Sequence, residues 1–378
     1  MKLLAGVSLL ATLALSLALL VPPMDQPAQA QSAVSTHGFR PIGRPVEIQA
    51  PLGLPPVPIP TDNPPTDETI ELGRGLYYDP IISVDSSISC ASCHAPQFAF
   101  SDHRPVSEGV GKKLGTRHAP TVINSAYSSL QFWDGRAASL EEQAVGPMAN
   151  PVEMAHTLDG VVKRLQADAN YPARFKKAWG TDRITIDMVA KSIASFERTV
   201  IAGDSPFDRF MYGHDPSAMS PEAQRGMKIF IDKKKGNCEV CHAMEKGYAL
   251  FTDNKFHNLG IGADTRGNLN DVGRYAVTKN DEDLGCFKTP SLRNLSSRGP
   301  YMHDGSFPTV KDTLAHYIGG GNWNAHLDKE IHSLDVLTFD ERDDLLQFLD
   351  ALNGKLPPNI GPPADLAIPA KPSSSVGK

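Results

Sequence analysis

The chain has 378 residues, of which 40% are hydrophobic and 21% are charged, and its formal net charge is −6. This composition is ordinary for a globular protein, and the length suggests two domains. The negative charge disfavours nucleic acid and anionic membranes as partners, because both attract basic surfaces.

The first thirty residues have the pattern of an export signal. Lys2 supplies a positive charge, the stretch 3–21 contains no charged residue, and Ala28 and Ala30 form a small-x-small cleavage site. We therefore predict a signal peptide over 1–30 and a periplasmic protein with no membrane span after cleavage. An uncleaved anchor is the alternative, because the apolar run is long enough to cross a bilayer.

Two proline-rich segments without helical or strand periodicity flank the rest of the chain. Residues 31–65 are predicted to form an extended arm, and residues 357–378 a flexible tail.

The sequence Cys-x-x-Cys-His occurs twice, with Cys90, Cys93 and His94 in the first copy and Cys238, Cys241 and His242 in the second. Two thiols at this spacing can each add to a vinyl group of one porphyrin, and the following histidine then faces the iron as its proximal ligand. A zinc site or a redox dithiol is the alternative, but zinc requires four convergent ligands and each motif offers three. The sequence therefore predicts two covalently bound c-type haems. The fifth cysteine, Cys286, is assigned no role.

The two motifs belong to a repeated unit. A short helix is predicted before each motif, over 71–78 in the first half and after Ser220 in the second. After each motif comes a proline, Pro120 or Pro290, followed at the same spacing by an Asp-Gly pair and a helix-like stretch. Matched order and spacing indicate that a one-haem unit was duplicated.

This duplication predicts the fold class and the domain limits. Strong β-alternation is absent, so we expect a mainly α fold with two cytochrome c-like domains, at 66–205 and 206–356. Each domain should bind one haem, with both haems near the interface.

The halves differ at one informative position. Twelve residues past Gly135 and Gly305 lie Pro147 and Tyr317, respectively. If this position faces the sixth coordination site, the Tyr317 phenolate can bind iron, whereas Pro147 has no donor atom. We therefore predict an open first haem and a second haem closed by Tyr317. The adjacent His316 is the main alternative ligand, and weaker alternatives are Met244 and Met302.

From about residue 67 to 356 the chain resembles the bacterial di-haem cytochrome c peroxidases, and within them the MauG branch. The resemblance is carried by five short sequences, at 104–107, 131–136, 146–147, 152–154 and 301–305. It implies a periplasmic enzyme that reduces hydrogen peroxide at the first haem. Electrons would arrive through the second haem from a protein donor, either a small cytochrome c or a copper protein, or a partner protein would itself be oxidised. The resemblance also allows a homodimer.

The same resemblance implies roles for three further residues. Trp133 would lie between the haems as an electron relay, while Gln143 and Glu153 would line the distal pocket of the first haem. Gln143 would orient bound peroxide by hydrogen bonding. Glu153 would move a proton from the near to the far peroxide oxygen, so that water leaves when the O–O bond breaks. The alternatives are a packed core aromatic for Trp133 and a solvated carboxylate for Glu153.

Three departures from the family pattern refine this expectation. Val110 stands where the peroxidase branch has a histidine, and Tyr317 stands where it has a methionine. Both differences favour the MauG branch and an always open first haem. Gly236, however, stands where MauG has a tryptophan before its second motif, which argues against maturation of methylamine dehydrogenase.

The resemblance also implies a calcium ion at the domain interface. The family's asparagine ligand corresponds to His118 here, which leaves the backbone carbonyls of Arg298 and Pro300 as candidate ligands.

Two other functional classes remain open on the sequence alone. A non-enzymatic di-haem electron carrier would need a sixth ligand on both irons, and a haem sensor of diatomic gases would not require Glu153. Five histidines are predicted to be surface or capping groups; they are His103, His156, His257, His326 and His332.

Overall fold

The computed structural model of the protein describes residues 39–364 and Leu366. The predicted signal peptide over 1–30 therefore lies outside the described residues, as does most of the tail beyond residue 364. No helix in the described part of the chain combines the length and the apolar character needed to cross a bilayer.

Helices and irregular loops make up most of the described chain, which confirms the mainly α class. The helices are α1 (Asp67–Tyr78), α2 (Leu140–Ala149), α3 (Leu158–Ala167), α4 (Tyr171–Trp179), α5 (Ile186–Glu197), α6 (Pro206–Met211), α7 (Pro221–Ile231), α8 (Tyr275–Thr278), α9 (Val310–Ile318) and α10 (Phe339–Asp350). Two short strands, β1 (Phe256–His257) and β2 (Phe287–Lys288), pair antiparallel.

Serine and threonine side chains start most of these helices. Ser220 accepts a hydrogen bond from the amide of Ala223, and Pro221 is the first residue of α7, as the sequence predicts. In the first half, Thr66 and Thr69 form a reciprocal capping box, so α1 begins before the predicted span 71–78.

The duplication is visible in the way the helices pack. α1 packs against α5 in the first half, and α7 packs against α10 in the second. Each pair crosses at a glycine: an added Cβ would lie 1.8 Å from the Ser192 carbonyl oxygen at Gly73 and 2.0 Å from the Asp344 carbonyl oxygen at Gly226. Both close crossings therefore depend on the absence of a side chain.

Each half has its own hydrophobic cluster. Aromatic rings form the centre of both; they are Tyr77, Phe100, Phe175 and Phe196 in the first cluster and Phe207, Phe230, Phe251 and Phe348 in the second. The domain limits at 66–205 and 206–356 stay a prediction.

The loops repeat as well. Isolated antiparallel bridges join Gln131 to Ala137 and Tyr301 to Phe307, and each bridge encloses one Asp-Gly pair. The glycines of the two turns have similar positive φ angles, +69° at Gly135 and +66° at Gly305. The two turns therefore have the same backbone conformation, which supports descent from one unit.

The arm contains neither helix nor strand from residue 39 to 65, but it is bound to both halves. Asn63 donates to the Lys191 carbonyl at 3.0 Å, and the Gly53 carbonyl accepts from Arg293 at 2.8 Å. The start of the tail differs from the predicted flexible segment, because the Tyr78 hydroxyl donates to the Ile360 carbonyl at 2.6 Å and Ile360 is buried.

A fully buried ion pair holds the arm against the second half. The Arg293 guanidinium donates to both Asp208 carboxylate oxygens, at 2.8 and 2.7 Å, and the two side chains are 1% and 0% exposed. The same guanidinium donates to the carbonyls of Ala249 and Gly53. Gly53 has φ +84°, and a Cβ there would lie 1.9 Å from Asp208 Oδ1. The arm can therefore approach Asp208 this closely only with glycine at position 53.

Candidate haem sites

Both Cys-x-x-Cys-His motifs have the same local geometry. Each begins with a 3₁₀ turn, Cys90–Ser92 or Cys238–Val240. The backbone N–H of His94 or His242 donates to the carbonyl of the first cysteine at 2.9 Å in each copy. All five cysteines are free thiols. The two thiols of each motif thus lie on one turn with the histidine, an arrangement that fits covalent haem attachment.

The second motif lies in the wall of a cavity of about 260 Å³, which is also lined by Tyr317. His242 Nδ1 donates to the Phe251 carbonyl at 2.9 Å, which leaves Nε2 free. Burial lowers the pKa of His242 to about 4, so the ring is neutral at pH 7. A neutral imidazole whose other nitrogen is fixed by a hydrogen bond is typical of a metal ligand.

Helix α9 directs Tyr317 and His316 to different places. Tyr317 lines the cavity, and burial raises the pKa of its hydroxyl. His316 Nε2 instead donates to the Leu259 carbonyl at 3.0 Å, and its ring packs beside Phe307. Of the two weaker alternatives, Met302 lines the cavity and Met244 packs against the second hydrophobic cluster. The geometry therefore favours Tyr317 over His316 as the residue that faces a bound group.

The first motif is anchored from α1. The Tyr77 hydroxyl donates to the His94 carbonyl at 2.8 Å. His94 Nδ1 is buried and has no hydrogen-bond partner among the described residues, and burial lowers the pKa of this imidazole. An orphaned, neutral ring nitrogen beside two free thiols fits a haem-binding histidine.

Glu153 lies close to the first motif. Its carboxylate charge acts on both thiols, since it contributes to raising the pKa of Cys90 and of Cys93, although burial is the largest cause in each case. Asn150 donates to Glu153 Oε1 at 2.5 Å, and burial raises the pKa of this carboxyl. The structure thus brings a half-buried carboxyl, held by one amide, close to the first motif.

Backbone contacts and helix α2 define the surroundings of Glu153. Val110 donates its backbone N–H to the Glu153 carbonyl at 2.8 Å, so the loop that contains Val110 lies against this residue. α2 carries Gln143 and Pro147, which are four residues apart and share one face of the helix. Gln143 is half-buried.

Trp133 lies at the junction of the halves and lines the cavity. Its indole Nε1 donates to the His118 carbonyl at 2.8 Å, and its own carbonyl accepts from the Lys288 amide at 2.8 Å. His303 occupies the equivalent place in the second Asp-Gly turn and stacks on Phe287 with the ring centroids 3.5 Å apart. His303 is not among the residues predicted from the sequence, although it directly precedes the second Asp-Gly pair, as Trp133 precedes the first.

His257 lines the cavity and is not the surface or capping group that the sequence predicts. Its ring nitrogens contact Asp253 at 2.9 Å and Asp328 at 2.6 Å. These hydrogen bonds, led by the one to Asp253, raise the pKa of His257 to about 11. Within the described residues, Cys241, Asp253 and His257 form the one group of three potential metal ligands. Cys241 is also one of the two thiols predicted to attach the second haem, so we do not treat this cluster as a separate metal site.

The expected calcium ligands do not fit calcium. The His118 ring contacts Ser101 Oγ at 3.0 Å and the Arg104 carbonyl at 3.1 Å, so both nitrogens are already engaged. Calcium takes six to eight oxygen ligands. Of the expected protein ligands, only the neutral carbonyls of Arg298 and Pro300 remain, and Arg298 is itself a buried cation.

Gly236 leaves no room for the tryptophan that the resemblance led us to consider at this position. Its amide donates to the Ile229 carbonyl at 3.1 Å, and an added Cβ would lie 2.6 Å from that oxygen. Any larger residue would require the backbone before the second motif to move.

Glu197, at the end of α5, is a buried carboxyl outside the predicted site. It is 5% exposed, its Oε2 has no hydrogen-bond partner among the described residues, and burial raises its pKa to about 8. Between pH 4.5 and 8 the unfolded carboxyl is ionised while the folded one retains its proton. Protons are therefore bound more strongly by the folded state, and its stability should fall as pH rises through this window.

We expect Glu197→Gln to flatten that pH dependence. The measurement is the free energy of unfolding in urea for the holoprotein at pH 5 and pH 8. Glu71→Gln, at a largely exposed position on α1, is the control and should retain the wild-type slope. Equal slopes for wild type and Glu197→Gln would contradict the assignment.

Comparison with known proteins tests the family resemblance that the sequence motifs indicate. Residues 67–216 match the family model described as di-haem cytochrome c peroxidase. The chain is 38% identical over 300 residues to methylamine utilization protein MauG of Methylophilus methylotrophus, covering 79% of this chain and 86% of that protein. It is 35% identical over 305 residues to cytochrome c551 peroxidase of Nitrosomonas europaea, covering 79% and 89%.

Among solved structures, a MauG-like protein associated with microbial copper homeostasis aligns with a TM-score of 0.73 and 31% identity. The alignment covers 81% of this chain and 95% of that one. The shared fold therefore includes nearly the whole of the solved protein.

Proposed function

This chain belongs to the di-haem cytochrome c peroxidase family, and from that premise we propose that it is a periplasmic peroxidase that reduces hydrogen peroxide with electrons from a protein donor. The donor is a small cytochrome c, a copper protein or a partner protein whose side chains are oxidised. The periplasmic location is supported by the signal sequence over 1–30 and by the chemistry of haem attachment to thiols.

The single observation that carries the proposal is the asymmetry between the two sites. Tyr317 faces the cavity beside the second motif, whereas Pro147 occupies the corresponding sequence position in the first half. Glu153, a half-buried carboxyl, lies near the first motif instead. One site therefore offers a proton-transfer group without a sixth ligand, and the other offers a ligand.

When bound, the two haems supply an open iron for peroxide reduction and a second iron that stores an electron. His94 and His242 would hold the irons on one side, and Tyr317 would close the second. The four motif cysteines would hold the porphyrins; they are Cys90, Cys93, Cys238 and Cys241.

Glu153 and Gln143 act on the substrate in this proposal. Reduction of hydrogen peroxide to water consumes two electrons and two protons. A carboxyl with a raised pKa can accept the proton of the near oxygen and return it to the far oxygen, so that water leaves. Asn150 fixes Glu153 Oε1, and Gln143 provides an amide that orients the peroxide.

Trp133 connects the two halves: its indole donates to the His118 carbonyl, and its backbone carbonyl accepts from the Lys288 amide. His118 belongs to the first half and Lys288 to the second, and the Trp133 side chain lines the cavity between them. An aromatic ring at this place shortens the path for electrons between the two haems.

The test is low-temperature electron paramagnetic resonance of the fully ferric holoprotein. We expect one high-spin and one low-spin signal. Two low-spin signals would contradict the open first site and would favour a non-enzymatic electron carrier.

We expect Tyr317→Phe to convert the low-spin signal to a high-spin one, because phenylalanine has no oxygen to offer. The hydrophobic ring is retained, so packing of α9 should change little. His316→Gln is the matched control and should leave both signals in place, since His316 is bonded to Leu259. An unaltered spectrum of Tyr317→Phe would exclude Tyr317 as the ligand.

A further inference from the structure

Arg298 is a buried cation without a counter-charge. Arg298 is 8% exposed, and its Nη2 donates to the Ser291 carbonyl. Nε is buried and has no hydrogen-bond partner, and no carboxylate of the described residues lies within 4.0 Å of the guanidinium. An unpaired buried charge is costly, so an anion from outside the described chain is needed to balance it.

The guanidinium faces the cavity that contains the second motif. The same cavity is lined by His242 of the second motif and by His118 of the first half, so Arg298 shares it with both. Burial lowers the pKa of Arg298 itself to about 10, so it remains a cation at pH 7.

The other cavity-lining cations are already engaged. Lys288 Nζ donates to the Leu130 carbonyl at 2.8 Å, and His257 is held by Asp253 and Asp328. His303 Nε2 also lacks a partner, but burial lowers the pKa of His303 to about 4, so that ring is neutral. Among the described residues that line the cavity, Arg298 is thus the cation with an unsatisfied nitrogen. A c-type haem carries propionate carboxylates, which are anions of the required charge.

We infer that the Arg298 guanidinium pairs with a propionate of the second haem and supplies at the interface the positive charge that a calcium ion would otherwise supply. The inference rests on the two haems of the proposed function but not on peroxide turnover. It follows from the charges of the donor set: the His118 ring offers no oxygen and is engaged on both nitrogens, so the expected protein ligands are reduced to two neutral carbonyls, with no anionic oxygen to balance calcium beside a buried guanidinium.

The experiment uses the holoprotein and measures the midpoint potential of each haem by spectroelectrochemistry without peroxide. A positive charge near an iron favours the reduced state, so Arg298→Met should shift the potential of the second haem to a lower value. Arg298→Lys should retain most of the wild-type potential. Arg266→Met is the control, because it removes one charge from a side chain that is 83% exposed and should shift the potential far less.

Calcium content is measured on the same wild-type protein by elemental analysis, before and after treatment with EGTA. We expect well under one calcium per chain, and no shift of either potential on adding EGTA or calcium chloride. One tightly held calcium per chain, or a potential that depends on EGTA, would overturn the inference.

An unchanged potential in Arg298→Met would overturn it as well. If Arg298→Met does not take up haem, the potential of the second haem in Arg298→Lys and the calcium content of the wild-type protein still test the inference. A protein with the expected potentials but no peroxide turnover would refute the proposed peroxidase and leave the role of Arg298 intact.

Discussion

Replacing Glu153 with glutamine is expected to lower kcat for hydrogen peroxide by about 10²- to 10⁴-fold. Glutamine has nearly the same shape but can neither accept nor return a proton under these conditions. Asn150 can still donate to the amide oxygen of glutamine, so the local hydrogen bond should survive. Because the lost interaction is made in the transition state, KM should change much less than kcat.

The measurement is steady-state peroxide turnover with a reduced donor, with haem content determined on each preparation. Asp159→Asn is the matched control: it replaces an exposed carboxylate in the first turn of α3 and should leave turnover unchanged. The electron paramagnetic resonance spectrum of Glu153→Gln should match the wild type, since no ligand is removed. Unchanged turnover in Glu153→Gln would remove this residue from the mechanism.

Replacing Arg293 with methionine is expected to lower the free energy of unfolding by about 3–5 kcal/mol. The substitution leaves the fully buried Asp208 carboxylate without its partner. It also removes the donors to the Gly53 and Ala249 carbonyls, which hold the arm on the second half. The measurement is urea unfolding of the holoprotein, followed by haem absorbance and by tryptophan fluorescence.

A partly exposed ion pair provides the comparison. Arg225 donates to both carboxylate oxygens of Asp344, and the two side chains are 54% and 12% exposed, so Arg225→Met should cost clearly less than Arg293→Met, in which both partners are fully buried. The double variant Asp208→Leu/Arg293→Met should regain part of the loss, because no unpaired charge remains. Equal losses in Arg293→Met and Arg225→Met would contradict the argument from burial.

The features predictable from the sequence are those encoded over short distances along the chain. The two haem motifs, the Ser220 cap and the paired Asp-Gly turns each depend on residues within a few positions of one another, and the structure has them as expected. The sequence predicts Tyr317 rather than His316 from the matched spacing of the two halves, but it does not reveal what the two adjacent side chains contact. The surrounding contacts of each, above all the bond from His316 to Leu259, separate them.

What the sequence did not reveal depends on contacts between distant segments. The two aspartates that hold His257 lie on opposite sides of it in sequence, at positions 253 and 328. The exposed or buried state of Arg298 depends on how the halves meet. A lone arginine or histidine carries no local signal of burial, so its environment becomes known only with the fold.

The contacts of the arm and the tail also constrain the order in which the protein folds. The hydrogen bond from Arg293 to Gly53 joins residues 240 positions apart, and the one from Arg74 to Gly361 joins residues 287 positions apart. Contacts at such separations close very large loops and form slowly relative to local helices. The arm is synthesised early, but its binding site on the second half is not complete until Arg293 has been synthesised and has paired with Asp208. The earliest described segment to leave the ribosome is therefore among the last to reach its native place.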